Sequence, residues 1–365
     1  MQKQIWTINK LLAWAIDYFK TREIPEPRLS AELLLSAVLD LSRMNLYLKY
    51  DLELKDDQLK KYKEFILRRL NHEPIQYITG EAYFRKIRLD VDKSVLIPRP
   101  ETELLVERAK KAVLYLAELK KSSKQSYKTN TKTTENNAAL IKKSLPELKK
   151  VQNGNDSVSS KNETMGIERT CLSQNQVINI LEIGTGSGAI ALSLLFETEY
   201  NADKTFPIDI IATDISSDAL RTALKNTNRI LNSEKKFHLE LFECDVVPQD
   251  NEKFFKKYLK NIDIVISNPP YIAGEDYENL DRQIKDFEPE TALNAGRTGT
   301  EKYSHILKKV KSFLNPEAAY IIFETDPLTS PELQKIIKAE FKGCNVSIEK
   351  DYNGQDRIMA AFIAN

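Results

Sequence analysis

Residues 268–271 read Asn-Pro-Pro-Tyr and follow the apolar run IDIVIS. They set an amide side chain, a donor-free backbone and an aromatic ring at the end of what reads as a buried strand. Two prolines donate no backbone hydrogen bond and fix their own φ angles. The Asn268 side chain brings both acceptor and donor capacity. Such a cluster offers rigid acceptors and a flat ring to a ligand; it also fits a plain Asn-Pro turn. The neighbouring motifs decide between the two.

In LEIGTGSGAI the glycines are Gly184, Gly186 and Gly188, with Thr185 and Ser187 between them. They follow a predicted strand and open a predicted helix. Gly184 can turn tightly, while Gly186 and Gly188 leave room for backbone to approach a ligand. With Ala189 the loop satisfies G-x-G-x-x-A, the dinucleotide fingerprint, so the loop alone does not choose its cofactor. Asp214 ends the next strand, IIATD. A carboxylate there can accept both hydroxyl hydrogens of a ribose, and Ser216 or Ser217 can cap the following helix instead. Asp245 holds the equivalent place in FECDV. It suits the amino group of an adenine, or serves as a solvated loop acid. Glu182, inside the first strand, is costly to bury without a partner. Three successive strands thus end in groups suited to an adenosine.

The elements that carry these groups alternate. VINILEI, IDIIATD, HLELFECDV, IDIVIS and AAYIIFET read as strands, with helical patterns between them. Alternation of this kind implies an α/β fold with a doubly wound, Rossmann-like parallel sheet. The end of the chain reads as an antiparallel hairpin turning at Asn353–Gly354. Residues 5–71 read as helices, with Ser30 as N-cap of the second and Asp56 or Asp57 as cap of the next. QYITGEAYFRKIRLDVDKSVLIP reads as a β-hairpin, and a helix opens at Pro100 with an acidic first turn. Residues 120–176 are rich in Lys, Ser, Asn and Thr and are expected to be disordered. The division is a helical unit over 1–74, a hairpin linker over 75–99 and a catalytic unit over 100–365 interrupted at 120–176.

Composition narrows the partners. Fifty-four basic against 53 acidic residues leave a net charge of +1 over 365 residues. A chain built to grip nucleic acid usually carries a larger basic excess, so no direct nucleic-acid binding is expected. Cys171, Cys244 and Cys344 form no CxxC pair, and His72, His238 and His305 are scattered. Neither a zinc site nor a hydrolytic triad has a starting point. The N-terminal stretch is amphipathic and charged, unlike a secretory signal, and no run approaches a membrane span. A cytoplasmic location is expected.

NPPY after the fourth strand of a sheet that begins ExGTGSG resembles the amino-methyltransferases that use S-adenosylmethionine. QYITG, FRKIRLDVDKSVLIPRPETE, EIGTGSGAIALSL, TDIS, ISNPPYI, FEPETALNAG and YNGQDRIMAA together resemble the peptide chain release factor glutamine N5-methyltransferase family. The matches run from the helical start to the final hairpin. The resemblance implies transfer of a methyl group to the side-chain nitrogen of the glutamine in the Gly-Gly-Gln loop of release factors. It implies that Gly184, Thr185, Gly186, Ser187, Gly188, Asp214, Asp245, Val246 and Asn268 contact the cofactor. Asn268, Pro269, Pro270 and Tyr271 would hold the glutamine. An amide nitrogen is a poor nucleophile because its lone pair is delocalised. The Asn268 oxygen and the Pro269 carbonyl can each accept one of its hydrogens and so orient it. Tyr271 can pack on the flat amide. LIPRPETE would line the cleft, and the helical unit would dock the release factor. The alternatives are glutamine methylation of a large-subunit ribosomal protein, adenine methylation in a nucleic acid, and a non-catalytic scaffold on the same fold.

Overall fold

Strands covered on both faces carry continuous apolar runs rather than alternation. β3 (Ile178–Ile183) and β6 (Ile264–Ser267) are buried at every position. The computed structural model describes residues 5–128, 177–200, 207–231, 238–248 and 251–364. β3 and β6 are the centre of a seven-stranded sheet. The others are β4 (Ile208–Asp214), β5 (Leu239–Glu243), β9 (Ala318–Glu324), β10 (Asn345–Lys350) and β11 (Asp356–Ala364), in the order β10-β11-β9-β6-β3-β4-β5. Five strands run parallel, and β11 pairs antiparallel with both β9 and β10. The expected doubly wound sheet and its closing hairpin are both present.

Register places the chemistry. Ile183 lies opposite Thr213 in β4 and Ser267 in β6, and Ser267 lies opposite Phe323 in β9. The next residue along each strand is Gly184, Asp214, Asn268 or Glu324. Four strands therefore deliver these groups to one edge at one level. This is where ligands sit in such sheets.

Helices cover both faces. α6 (Thr102–Lys128), α7 (Ala189–Tyr200) and α8 (Ser217–Ile230) lie on one side. α9 (Glu252–Tyr258), α12 (Glu301–Val310) and α13 (Ser330–Glu340) lie on the other. Between β6 and α12 the chain makes the short strands β7 (Ile272–Ala273) and β8 (Asn294–Gly296), which pair. The one-turn helices α10 (Gly274–Tyr277) and α11 (Arg282–Lys285) lie between them.

The N-terminal unit has its own buried cluster, including Phe19, Leu34, Leu35 and Tyr62. Its helices are α1 (Ile8–Lys20), α2 (Pro27–Leu39), α3 (Arg43–Leu48), α4 (Asp56–Leu70) and α5 (Ile75–Thr79). Several local expectations shift. α2 opens at Pro27, so Ser30 is an interior, buried residue whose hydroxyl donates to the Pro25 carbonyl. α4 starts at Asp56 with Lys55 as its N-cap residue; the Gln58 side chain accepts from the Lys55 amide. The stretch Ile75–Thr79 is helical and stops at Gly80, with φ of 77°. Only β1 (Glu81–Phe84) and β2 (Ile87–Asp90) form the hairpin. Residues 120–128 continue α6 instead of belonging to the polar stretch. The Lys120 ammonium pairs with the buried Asp263 carboxylate at 2.7 Å and donates to the Val177 carbonyl, which ties that turn to the sheet. The remainder of the expected disordered segment, 129–176, lies outside the described residues.

Asn226 of α8 ties the hairpin to the glycine turn. Its Oδ1 accepts from the Asp90 amide at 2.7 Å. Its Nδ2 donates to the Asp90 carbonyl at 3.0 Å and to the Ser187 carbonyl at 2.9 Å. The side chain is fully buried. Asn226→Ala strips partners from three backbone groups, each loss costing about 1–3 kcal/mol when water cannot enter. We expect a destabilisation of about 3 kcal/mol, read as a lower urea midpoint with unchanged m-value. An unchanged midpoint would show the link to be dispensable.

Candidate active site

The glycine turn forms because its amides are called back to β4. Gly184 N–H and Thr185 N–H both donate to the Thr213 carbonyl, at 2.8 and 3.0 Å. Gly186 N–H donates to Asp214 Oδ2 at 2.9 Å. This path needs positive φ at Gly184 (72°) and Gly186 (54°), which glycine adopts without a Cβ penalty. No atom lies within 4 Å of where a Cβ would stand at either position, so conformation, not crowding, selects glycine there. Gly188 shares the positive φ (82°) and is crowded as well. A Cβ there would meet Leu192 Cδ1 at 3.0 Å and Ala223 Cβ at 3.6 Å. It permits α7 and α8 to pack, and it does not line the cavity at the sheet edge.

Asp214 Oδ1 accepts from Ser216 N–H at 2.9 Å, while the Ser216 hydroxyl caps α8 by accepting from Ala219 N–H. Each Asp214 oxygen thus has one such bond and keeps lone-pair capacity for a hydroxyl pair. Burial pushes its carboxyl above the usual range, and the Ser216, Gly186 and Ile215 amides pull back. Glu182 Oε2 accepts from Ala191 N–H at 3.1 Å in the first turn of α7, while its Oε1 and the Thr185 hydroxyl have no partner among the described residues. Burial raises the Glu182 carboxyl to about 8, with Thr185 and Ala191 opposing. A dinucleotide pyrophosphate would call on the loop and helix N–H groups. Here the amides of Gly184, Thr185, Gly186, Gly188 and Ala191 already have internal acceptors.

At the end of β5, Asp245 is not a free loop acid. His305 Nε2 and Lys309 Nζ of α12 meet its Oδ2, at 2.7 and 3.0 Å. Partial burial raises this carboxyl, but His305 and Lys309 outweigh it and hold the group below its usual range. Oδ1 is left without a partner among the described residues. Val246 is buried with φ of 78°, a costly conformation for a β-branched residue. The Thr213 hydroxyl sits at 3.0 Å from its carbonyl and holds it there. Strain of this kind persists only where the surroundings over-determine it.

Asn268 Nδ2 donates to the Thr102 hydroxyl at 3.2 Å. Among the described residues nothing donates to Asn268 Oδ1 or to the Pro269 carbonyl. Both acceptors stand unspent beside a cavity that Asn268, Pro269, Pro270, Asp214, Asp245, Val246 and Gly184–Ser187 line together. The segment before α6 adds Val95 and Arg99, α6 adds its first residue Thr102, and α12 adds His305 and Ile306. Glu288 holds the segment before α6 in place. Its carboxylate accepts from Ile97 N–H at 3.2 Å and pairs with the Arg99 guanidinium. Tyr271 is the exception among the proline-flanked residues. It does not line the cavity but packs on the core beneath α12.

Comparison with known proteins agrees with this geometry. The family described as "PrmC N-terminal domain" matches residues 10–80. The release factor glutamine methyltransferase of Chlorobaculum tepidum is 30% identical over 356 residues, covering 98% of this chain and 97% of that one. This chain belongs to the release factor glutamine methyltransferase family. The Rhodopirellula baltica enzyme of the same name is 27% identical, with 97% and 96% of the two chains covered. That of Geobacter sulfurreducens is 26% identical, with 99% and 98% covered.

The methyltransferase fold thus brings together all but two of the site residues expected from sequence; Gly188 and Tyr271 serve the packing around it. Sequence reasoning placed Thr102 in the cleft-lining stretch LIPRPETE and Glu288 in the family stretch FEPETALNAG without giving either a role, and it passed over His305 and Lys309. His305 and Lys309 lie four apart on α12, one helical turn, which puts them on one face toward Asp245. That spacing was the available signal. The raised Glu182 carboxyl also has a consequence for stability. Its ordinary value is 4.5. Between that and about 8 the unfolded chain releases this proton while the folded chain keeps it, so stability falls as pH rises. The slope is about 1.4 kcal/mol per pH unit from this group. Glu182→Gln removes it, so urea unfolding across about pH 5–8 should show a flatter decline. Glu324, raised to about 7, adds the same sign and remains. An unaltered slope in the variant would refute the assignment.

Proposed function

We propose that this protein methylates the side-chain nitrogen of the glutamine in the Gly-Gly-Gln loop of peptide chain release factors, drawing the methyl group from S-adenosylmethionine and so aiding translation termination. Family membership supports the substrate. The observation that carries the chemistry is the pair of unspent acceptors, Asn268 Oδ1 and the Pro269 carbonyl, at the same sheet edge as the glycine turn. The cofactor, when bound, supplies an electrophilic methyl carbon on a sulfonium.

The residues of the chain do the rest. Asp214 accepts the ribose hydroxyls, and Asp245 Oδ1 with the Val246 backbone meets the adenine. Gly184–Ser187 leave space for the remainder. Asn268 Oδ1 and the Pro269 carbonyl each accept one hydrogen of the glutamine nitrogen. That turns the lone pair toward the methyl carbon and stabilises the N–H bonds as positive charge develops on nitrogen. Pro269 and Pro270 present no competing backbone donor. The proton then departs to solvent, because an N-alkylated cationic amide is strongly acidic. No side-chain base is needed. The N-terminal helical unit docks the release factor, and the segment Ser94–Thr102 forms the wall between the two parts. No helix among the described residues is long and apolar enough to cross a membrane, in keeping with work on a cytoplasmic translation factor.

Purified release factor incubated with this protein and S-adenosylmethionine should gain about 14 daltons, one methylene, on its Gly-Gly-Gln peptide by mass spectrometry. No gain from protein that binds the cofactor would remove the proposal. Asn268→Ala should lower kcat by about 10²–10³, the usual loss for one aligned charge-stabilising group. Cofactor Kd, by calorimetry, should move by less than about threefold.

A further inference from the structure

At the end of β9, one strand away from Asn268, stands a carboxylate that the reaction above does not use. Glu324 has no exposed surface, and neither of its oxygens has a hydrogen-bond partner among the described residues. A buried carboxylate without partners is costly and calls for a reason. The groups around it are Thr102 and the charged Glu101 and Arg99 on the segment that opens α6, and Arg357 on β11. Tyr271 and Tyr303 adjoin it as well, and the Tyr303 hydroxyl donates to the Glu324 backbone carbonyl at 2.8 Å. Of these, the neutral donor that favours the charged carboxylate is the Thr102 hydroxyl. Strand register sets Glu324 beside Asn268, and the hydrogen bond from Asn268 sets Thr102 beside it too; no formed hydrogen bond joins Thr102 to the carboxylate.

Thr102 is also the partner of Asn268, and it too is buried. A threonine hydroxyl has one hydrogen and two lone pairs. When its hydrogen points at Glu324, its oxygen can only accept. The carboxamide that meets it must then present NH2, which turns Oδ1 to the cleft. Without the carboxylate the hydroxyl could donate instead, and the carboxamide could turn over. It would then offer N–H groups to the N–H groups of the substrate amide, which repel.

We infer that Glu324 is a positioning residue: acting through the Thr102 hydroxyl hydrogen, it fixes which end of the Asn268 carboxamide faces the substrate. This rests on the reading of Asn268 as the acceptor for the glutamine nitrogen.

The test is methyl transfer to a purified release factor at about pH 8, where the Glu324 carboxyl is ionised. Glu324→Met removes the acceptor and the buried charge together, so the folded state should be as stable as the parent or more so. Its kcat should nevertheless fall by about tenfold or more, with cofactor Kd unchanged. Glu324→Gln keeps an acceptor oxygen and should recover much of the rate. Thr102→Val should lose as much as Glu324→Met, and Thr102→Ser should lose little. The double variant Thr102→Val/Glu324→Met should be no slower than Thr102→Val alone, because both act through one hydrogen. Wild-type kcat in Glu324→Met, or losses that multiply in the double variant, would overturn the inference. If Glu324→Met does not fold, Thr102→Val with wild-type kcat overturns it instead. Asn268→Ala separates the two claims. An inactive Asn268→Ala beside a fully active Glu324→Met removes only the role of Glu324. An active Asn268→Ala removes the reading on which that role stands.

Discussion

The level at which four parallel strands end is the constraint on which this active site depends. Ile183, Thr213, Ser267 and Phe323 sit in one row of the sheet. Parallel pairing fixes that row through evenly spaced backbone hydrogen bonds. A slip of one residue in any strand would turn its whole set of side chains to the other face. Apolar cover on both faces makes such a slip prohibitive. The positions of Gly184, Asp214, Asn268 and Glu324 are therefore set by the core, not by the loops that follow. A reaction that needs an amide nitrogen aligned with a carbon gains from groups mounted on rigid strand ends.

Burial at that edge changes what the acids can do. Glu182, Asp214 and Glu324 all have carboxyl groups raised by desolvation. Asp214 keeps amide donors on both oxygens and stays suited to accept hydroxyl hydrogens. Glu182 sits deeper, with one amide bond, and holds its proton near neutral pH. Asp245, by contrast, is exposed and is held ionised by His305 and Lys309. The same residue type thus takes different roles along one edge because solvent access and partners differ.

Local motifs were legible in the sequence wherever the chemistry is written into consecutive residues. The glycine turn, Asp214 after its strand and Asn268 before two prolines each announce themselves by type and neighbour. What stayed hidden depends on partners far along the chain. The Asp245–His305 and Asp245–Lys309 pairs join positions 60 and 64 residues apart, and Thr102 reaches Asn268 across 166. Gln76–Thr79 looked extended because of its aromatic and β-branched residues, yet tertiary packing of Tyr77 and Ile78 makes it a helical turn. Lys120 looked like the start of a polar tract, but the buried Asp263 carboxylate gives it a partner and extends α6. Tyr271, expected from its motif to pack on the substrate amide, packs on the core under α12.

The two units of the chain are joined at the cleft itself. Arg69 of α4 is buried, and its guanidinium donates to the Glu73 carbonyl and, at 2.6 Å, to the Gln283 side chain in α11. Glu288, a few residues further on, holds Ile97 and Arg99. The segment between β7 and β8 is therefore fastened through Gln283 to the helical unit and through Glu288 to the wall that carries Thr102. A release factor that pressed on the helical unit would load the same wall that touches Asn268. Burial makes each of these polar links expensive to break singly.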